Sequence, residues 1–223
     1  MTRDPLLVVF DCDGTLVDSQ ANIVQALALC FDQHGLEAPC AQAARRIVGL
    51  SLVEAMRAIL PDAEPDLHLV LAEEYKLAFQ KLRATGGLSH EPLFDGTREV
   101  LETLEAQGSL LGIATGKSDR GLQLCLAEHR IERHFVTLQT ADRHPSKPHP
   151  SMLHAAMTET ASDPQRTAMV GDTVYDIQMA VAAGVLPVGV AWGYHDPDEL
   201  RAAGAVAVIE RYEELHDVLE HHL

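Results

Sequence analysis

Basic residues are scarce in this chain: 17 Lys and Arg stand against 33 Asp and Glu, a formal net charge of −16 over 223 residues. Neutralising the phosphates of a nucleic acid needs a basic face, so a nucleic-acid polymer is not an expected partner. The same field repels small anions, so an anion site has to be assembled locally from a metal and a few placed cations. Long apolar runs are also missing. The longest, Leu6–Phe10 and Leu186–Trp192, fall well short of the roughly 20 residues of a bilayer-spanning helix, so no membrane partner is expected. No basic and apolar leader precedes Asp11, and the expectation is a soluble, cytoplasmic protein. Cysteine is limited to Cys12, Cys30, Cys40 and Cys125, without a CxxC pair or zinc-like spacing, which suits reduced thiols rather than a disulfide framework. Histidine is plentiful at twelve, yet His134, His144, His149 and His154 make no HExxH-type pair, and a histidine metal site is not expected.

Internal repeats and low-complexity segments are absent as well. What is present is a rhythm. Leu6–Phe10 is an unbroken apolar run ending at a carboxylate, as a fully buried parallel strand requires. Similar runs recur at Leu110–Ala114, Phe135–Leu138, Thr167–Val170, Leu186–Ala191 and Ala205–Ile209. Helical patterns lie between them: Val100/Leu101/Leu104, Leu122/Leu126, Leu153/Ala156/Met157 and Val174/Ile177/Val181. This alternation predicts an α/β fold, a doubly wound parallel sheet with helices on both faces.

One stretch breaks the rhythm. From Asp18 to about His90 only helical patterns occur, with Ile23, Leu27 and Phe31 on one face of the first helix. Leu67, Leu71, Tyr75, Ala78 and Leu82 share one face of the last. Gly86-Gly87 gives a flexible return. The expected organisation is a core of residues 1–17 and 91–223 with a helical module of residues 18–90 inserted after the first strand, placed to act as a lid.

Ligands of open α/β sheets sit at the carboxyl ends of strands. The first strand delivers Asp11-Cys12-Asp13-Gly14-Thr15 there, the second Thr115-Gly116-Lys117, the segment after the third Lys147-Pro148, and the fourth Gly171-Asp172-Thr173 followed by Asp176. Carboxylates this close repel one another unless a cation holds them, and an all-oxygen set favours Mg²⁺. Residues i and i+2 of an extended chain point to one side, so Asp11 and Asp13 can flank a single reacting phosphorus. Gly14 permits a sharp turn that brings backbone N–H groups near a phosphate. A carboxylate is a competent covalent nucleophile in phosphoryl transfer, and Lys147 and Thr115 can meet the charge on the transferred group.

Phe10-Asp11-Cys12-Asp13-Gly14-Thr15-Leu16-Val17-Asp18-Ser19 resembles motif I of the haloacid dehalogenase (HAD) superfamily. Thr115 resembles its motif II, Lys147 its motif III and Gly171-Asp172-Thr173-Val174-Tyr175-Asp176 its motif IV, in the family's order. The likeness covers essentially the whole chain. The helical insert resembles the C1 cap of subfamily IA, the phosphoglycolate-phosphatase-like branch, on a Rossmann-like core. This resemblance implies a phosphatase acting on a small phosphorylated metabolite, with Asp11 forming an aspartyl-phosphate and Asp13 acting first as acid and then as base. It implies Mg²⁺ held by Asp11, Asp172 and the backbone carbonyl of Asp13, with Asp176 behind them ordering metal waters or Lys147. Thr115, Gly116 and Lys147 would bind the phosphate.

Several residues carry two readings. Lys117 is a rival phosphate lysine, but its context at a helix start favours a solvated side chain. Asp142 reads as a loop carboxylate, and Cys12 as a buried side chain contributing its backbone N–H. Trp192-Gly193-Tyr194 reads as packing rather than substrate contact. Arg45 and Arg46, beside the Gly49 turn, either complement a helix C-terminus or face the site and pair with a substrate carboxylate. The second reading makes 2-phosphoglycolate the first substrate to try. Three alternatives remain: a pyrophosphatase, a metal-binding regulatory module without turnover, and a sugar phosphomutase. Such mutases often carry a histidine twelve residues after the nucleophile, where this chain has Ile23.

Overall fold

Leu7–Phe10 (β1) is buried on both faces, and its side chains divide by the period of two that a strand imposes. Val8 and Phe10 join one apolar cluster, whereas Leu7 and Val9 join another on the opposite face. The computed structural model describes residues 5–223, so the expected start of the core at residue 1 lies outside it. Beside β1 run β2 (Leu110–Thr115), β3 (Phe135–Thr140), β4 (Thr167–Gly171), β5 (Leu186–Val190) and β6 (Ala207–Ile209). All pair in parallel, in the order β3-β2-β1-β4-β5-β6. Each apolar run read from the sequence forms one of these strands.

The helices cover both faces of the sheet. Between β1 and β2 lie α1 (Gln20–Gln33), α2 (Ala41–Arg46), α3 (Leu52–Ile59), α4 (Pro65–Ala84) and α5 (Thr97–Ala106). Then come α6 (Asp119–His129), α7 (Ser151–Thr160), α8 (Val174–Ala183), α9 (Pro197–Ala203) and α10 (Glu213–His222). α5, α6 and α10 supply Leu101, Leu104, Leu122, Leu126, Leu215 and Leu219 to one sheet face. α7 and α8 cover the other with Met152, Leu153, Met157, Met179 and Ala180. α7 carries the chain from edge strand β3 back to β4 beside β1, so the strand order reverses around β1. A crevice opens at such a switch point, outside the carboxyl ends of β1 and β4.

α1 to α4 bury a core of their own, including Leu27, Cys30, Phe31, Met56 and Leu71. Asn22 ties the two connections to the sheet together: its side-chain amide donates to Ser89 O at 2.9 Å and to Glu91 Oε1 at 2.8 Å, and its Oδ1 accepts from Ser89 N at 2.8 Å. The insert lies down on the sheet's carboxyl edge. Ser51 N donates to Ser146 Oγ at 2.8 Å, and Tyr175 donates its hydroxyl to Arg46 O at 3.1 Å. Contact is so close at Gly116 that a Cβ there would stand 2.6 Å from Leu50 O. No helix among the described residues is long and apolar enough to cross a membrane.

Candidate active site

β1 and β4 end side by side, with Asp11 N donating to Val170 O at 2.9 Å, and this pairing sets Asp11 against Asp172. Lys147 reaches between the carboxylates from the loop after β3. Its Nζ stands 2.9 Å from Asp11 Oδ1 and 2.6 Å from Asp176 Oδ1, and all three side chains are buried. Asp176 is fixed from the other side by the α8 capping box: its Oδ2 accepts from Thr173 N at 3.1 Å and from Thr173 Oγ1 at 2.7 Å. Asp172 takes Thr15 Oγ1 on Oδ1 at 2.8 Å and Tyr194 N on Oδ2 at 2.9 Å. The turn between Asp13 and Thr15 requires glycine. Gly14 has φ +83°, and a Cβ there would meet Asp172 Oδ2 at 2.2 Å.

Asp11, Asp172 and Asp176 each bring a carboxylate oxygen within 4.8 Å of the others. Neither oxygen of Asp11 has a hydrogen-bond partner of regular geometry, although both are buried. Burial pushes the Asp11 carboxyl up to about 7, with Lys147 opposing the shift and Asp176 adding to it. Burial, followed by the charges of Asp11 and Asp176, also pushes Asp172 well above its ordinary range. Three buried carboxylates against one ammonium leave excess negative charge, and the donors are all oxygen. These residues therefore fit a hard divalent cation of the Mg²⁺ type. Asp13 stands apart. Its side chain is outside this cluster, which leaves only its backbone carbonyl for the ligation expected from the sequence.

The Asp13 carboxylate is held by groups on two other segments. Ser19, at the end of motif I, donates its hydroxyl to Asp13 Oδ1, and Lys117 Nζ lies 2.7 Å from the same oxygen. Here the structure corrects the sequence reading of Lys117 as solvated: its side chain is only 14% exposed. Burial is the largest single influence and disfavours the charged amine, yet Asp13, Cys12, Cys125 and Glu91 together overcome it and raise Lys117 well above its ordinary value. Position at a helix start says nothing about this, because the helix points its first turn at the cavity rather than at solvent. The roles of Ser19 and Lys117 went unread, although both sit inside or beside quoted motifs.

Thr115 is buried at the end of β2, and its Oγ1 accepts from Lys117 N at 3.2 Å. Gly116 lies between the sheet and Leu50 of the insert. Asp142 caps α6 by accepting Asp119 N at 2.9 Å. Cys12 is buried, with its sulfur 3.8 Å from that of Cys125. Trp192 and Tyr194 pack as expected and also hold the site, through Trp192 Nε1 donating to Thr15 O at 3.1 Å and Tyr194 N donating to Asp172.

Arg45 and Arg46 do not join the site. Arg45 donates to Gln20 Oε1 at 2.7 Å on the surface, and Arg46 forms an exposed ion pair with Glu199 of α9. Neither borders the cavity between insert and sheet. The reading of a cap arginine facing the site is therefore corrected. α2 ends with both side chains directed outward, while Ile47, Val48 and Gly49 turn toward the cavity. That cavity, about 180 Å³, has Asp13, Gly116 and Lys117 on the sheet side and apolar groups of α1, α3 and α4 on the other.

Known proteins resemble this chain in sequence and fold. The haloacid dehalogenase-like hydrolase family profile matches residues 8–190. A probable phosphatase, IndB, of Dickeya dadantii is 36% identical over 214 residues, covering 94% of this chain and 91% of its own. A phosphoglycolate phosphatase of Pseudomonas putida is 31% identical over 211 residues, covering 92% and 76%. The crystal structure of a putative haloacid dehalogenase-like hydrolase from Bacteroides fragilis superposes with a TM-score of 0.86 at 25% identity, covering 95% of this chain and 99% of that one. The match of motifs, sheet order and whole-chain similarity places the chain in the haloacid dehalogenase-like hydrolase family, as a phosphatase of the phosphoglycolate-phosphatase-like kind.

Proposed function

We propose that the protein is a Mg²⁺-dependent phosphomonoesterase that works through an aspartyl-phosphate on Asp11. The observation that carries this reading is Asp11 itself: a buried carboxylate, both oxygens without regular hydrogen bonds, beside an ammonium at the sheet's switch point. An Asp11 oxygen forms a bond to phosphorus as the bond to the leaving oxygen breaks, and Asp13 gives that oxygen its proton. In the second half, Asp13 takes a proton from water, the water oxygen bonds to phosphorus, and Asp11 is released as carboxylate. Lys147, with Thr115 and the Gly116 backbone, binds the phosphoryl oxygens, and Asp176 orients Lys147. Asp11, Asp172 and the carbonyl of Asp13 would hold the cation, which supplies positive charge against that developing on the transferred group. Insert residues 18–90 act as a cap that excludes bulk water during both halves.

Ile23 lines the cavity, and an apolar group there supports hydrolysis over the mutase reading. The free thiols, three of them buried, support a reducing, cytoplasmic compartment. 2-Phosphoglycolate enters as a candidate through the names of relatives alone, since Arg45 and Arg46 are engaged elsewhere.

Hydrolysis of a chromogenic phosphomonoester tests this reading. Turnover should require Mg²⁺, stop in excess chelator, and fall by at least about 10⁴-fold in folded Asp11→Asn. Acid-quenched wild type should carry one phosphoryl group on the peptide containing Asp11. Full activity in chelator, or in the variant with deamidation excluded by mass spectrometry, would overturn it.

A further inference from the structure

We infer that the substrate's leaving group carries an apolar body of about the size of one aromatic ring, seated against α1, α3 and α4. This rests on the phosphomonoesterase reading and goes beyond it to substrate class. The cavity of about 180 Å³ begins at Asp13 and Lys117, so whatever fills it is attached to the oxygen that Asp13 serves. A dry cavity of about 150 Å³ with aliphatic walls accommodates benzene, which sets the scale of the occupant.

The chemistry of the walls selects among phosphomonoesters. Ile23 and Leu27 of α1, Met56 of α3, and Tyr75 and Phe79 of α4 line the side facing the sheet. The Tyr75 and Phe79 rings lie 6.0 Å apart, tilted by 52°, an arrangement that offers a flat group an aromatic contact. Of these five side chains only Tyr75 offers a hydrogen-bonding group, and Glu91 and Lys117, which also line the cavity, are engaged by Asn22 and Asp13, so a sugar would lose most of water's hydrogen bonds without replacement. Glycolate is too small to reach most of them, and Lys117, which lines the cavity beside Asp13, is no free partner for its carboxylate. Lys117 is already paired with Asp13 at 2.7 Å. Lys76 lies 2.7 Å from Glu73, and the exposed Arg83 stands over the Phe79 ring at 5.5 Å. The exposed lining residues Gln80, Arg83, Arg120 and Glu128 form the cavity's outer edge, where a polar tail of the substrate would emerge.

Phe79 is the residue to change, because it is half-buried and its truncation leaves the insert's own core intact. The assay compares kcat/KM for 2-phenylethyl phosphate, 2-phosphoglycolate, glucose 6-phosphate and methyl phosphate. All four are alkyl esters that release an alcohol once Asp13 has given its proton, so the leaving-group chemistry alone does not set the ranking. 2-Phenylethyl phosphate should exceed 2-phosphoglycolate and glucose 6-phosphate by at least about tenfold, within the range an apolar pocket discriminates. Phe79→Ala should reduce that preference at least about tenfold, chiefly through KM, and Phe79→Leu should retain most of it. Leu77→Ala, on the exposed face of α4, should leave the preference unchanged. A preference for 2-phosphoglycolate or glucose 6-phosphate, or an equal loss on all four substrates in Phe79→Ala, overturns the inference. Should none of the four be hydrolysed, the catalytic reading is what fails, and calorimetry decides the pocket separately. 2-Phenylethyl phosphate should then bind at least about tenfold tighter than inorganic phosphate, with the advantage lost in Phe79→Ala; equal affinities overturn the inference.

Discussion

The carboxyl edge of the sheet and the insert that lies on it are held together by opposite kinds of interaction. On the sheet side, Asp11, Lys147, Asp172 and Asp176 are ionisable and buried, and every one has a charged or hydrogen-bonding neighbour from another segment. On the insert side, Leu27, Met56 and Phe79 meet the cavity with apolar side chains. A buried charge without a partner costs several kcal/mol, so each charged group constrains its neighbours in type and position. Apolar contacts are non-directional and tolerate exchange at constant volume. One side is therefore narrowly determined, whereas the other is free to vary with the substrate.

The largest effect that separates the two sides is the response of stability to pH in the absence of metal. Asp11 is raised from its ordinary 3.8 to about 7 in the folded protein, with burial the leading cause. Between those values the folded state keeps a proton that the unfolded chain has released. Stability from this group is thus fully present below about pH 4 and is lost as pH rises through about 7. The loss amounts to at most about 4 kcal/mol at 1.36 kcal/mol per pH unit. Urea unfolding in chelator at pH 5 and pH 7.5 measures it, and the loss should shrink in Asp11→Asn and on adding Mg²⁺. A slope unchanged by either would place the strain outside this cluster.

A smaller effect, but a sharper one, is expected at Lys117. Removing its ammonium in Lys117→Met leaves Asp13 with Ser19 alone and should lower kcat about 10- to 100-fold, part of what a positioned acid–base group contributes. The pH–rate profile should change shape as well, because the variant loses a charge beside the carboxylate proposed to transfer the proton. A change below twofold in kcat would return Lys117 to the role of a surface residue.

Arg46→Ala should do least. Its ion pair with Glu199 is exposed, and such pairs contribute between zero and about 1 kcal/mol. kcat/KM should stay within about threefold of wild type on every substrate, since the side chain points away from the cavity. A tenfold change in selectivity would restore the idea of a cation reading the substrate's acid.

Strands, their order along the chain and the two carboxylate-bearing ends, of β1 and β4, were legible because each depends on a few adjacent residues. Leu6–Phe10 is apolar throughout and ends at Asp11, and nothing distant is needed to recognise a buried strand delivering a carboxylate. The helical character of residues 18–90 was legible for the same reason, from the spacing of Ile23, Leu27 and Phe31. Partner choice was not legible in this way. Lys117 finds Asp13 rather than water because β1 and β2 pair in register, which brings residues 104 positions apart within 2.7 Å. Arg46 finds Glu199 rather than substrate because α2 settles beside α9. Phe79 belongs to the cavity because α4 packs with one face on the insert's core and an adjoining face toward Asp13. The sequence by itself determined which chemistry stands at the strand ends, because a buried charge needs a particular residue type. Only the tertiary structure decided which neighbours those groups have and what shape the cavity beside Asp13 takes, because both follow from the packing of elements far apart in the chain.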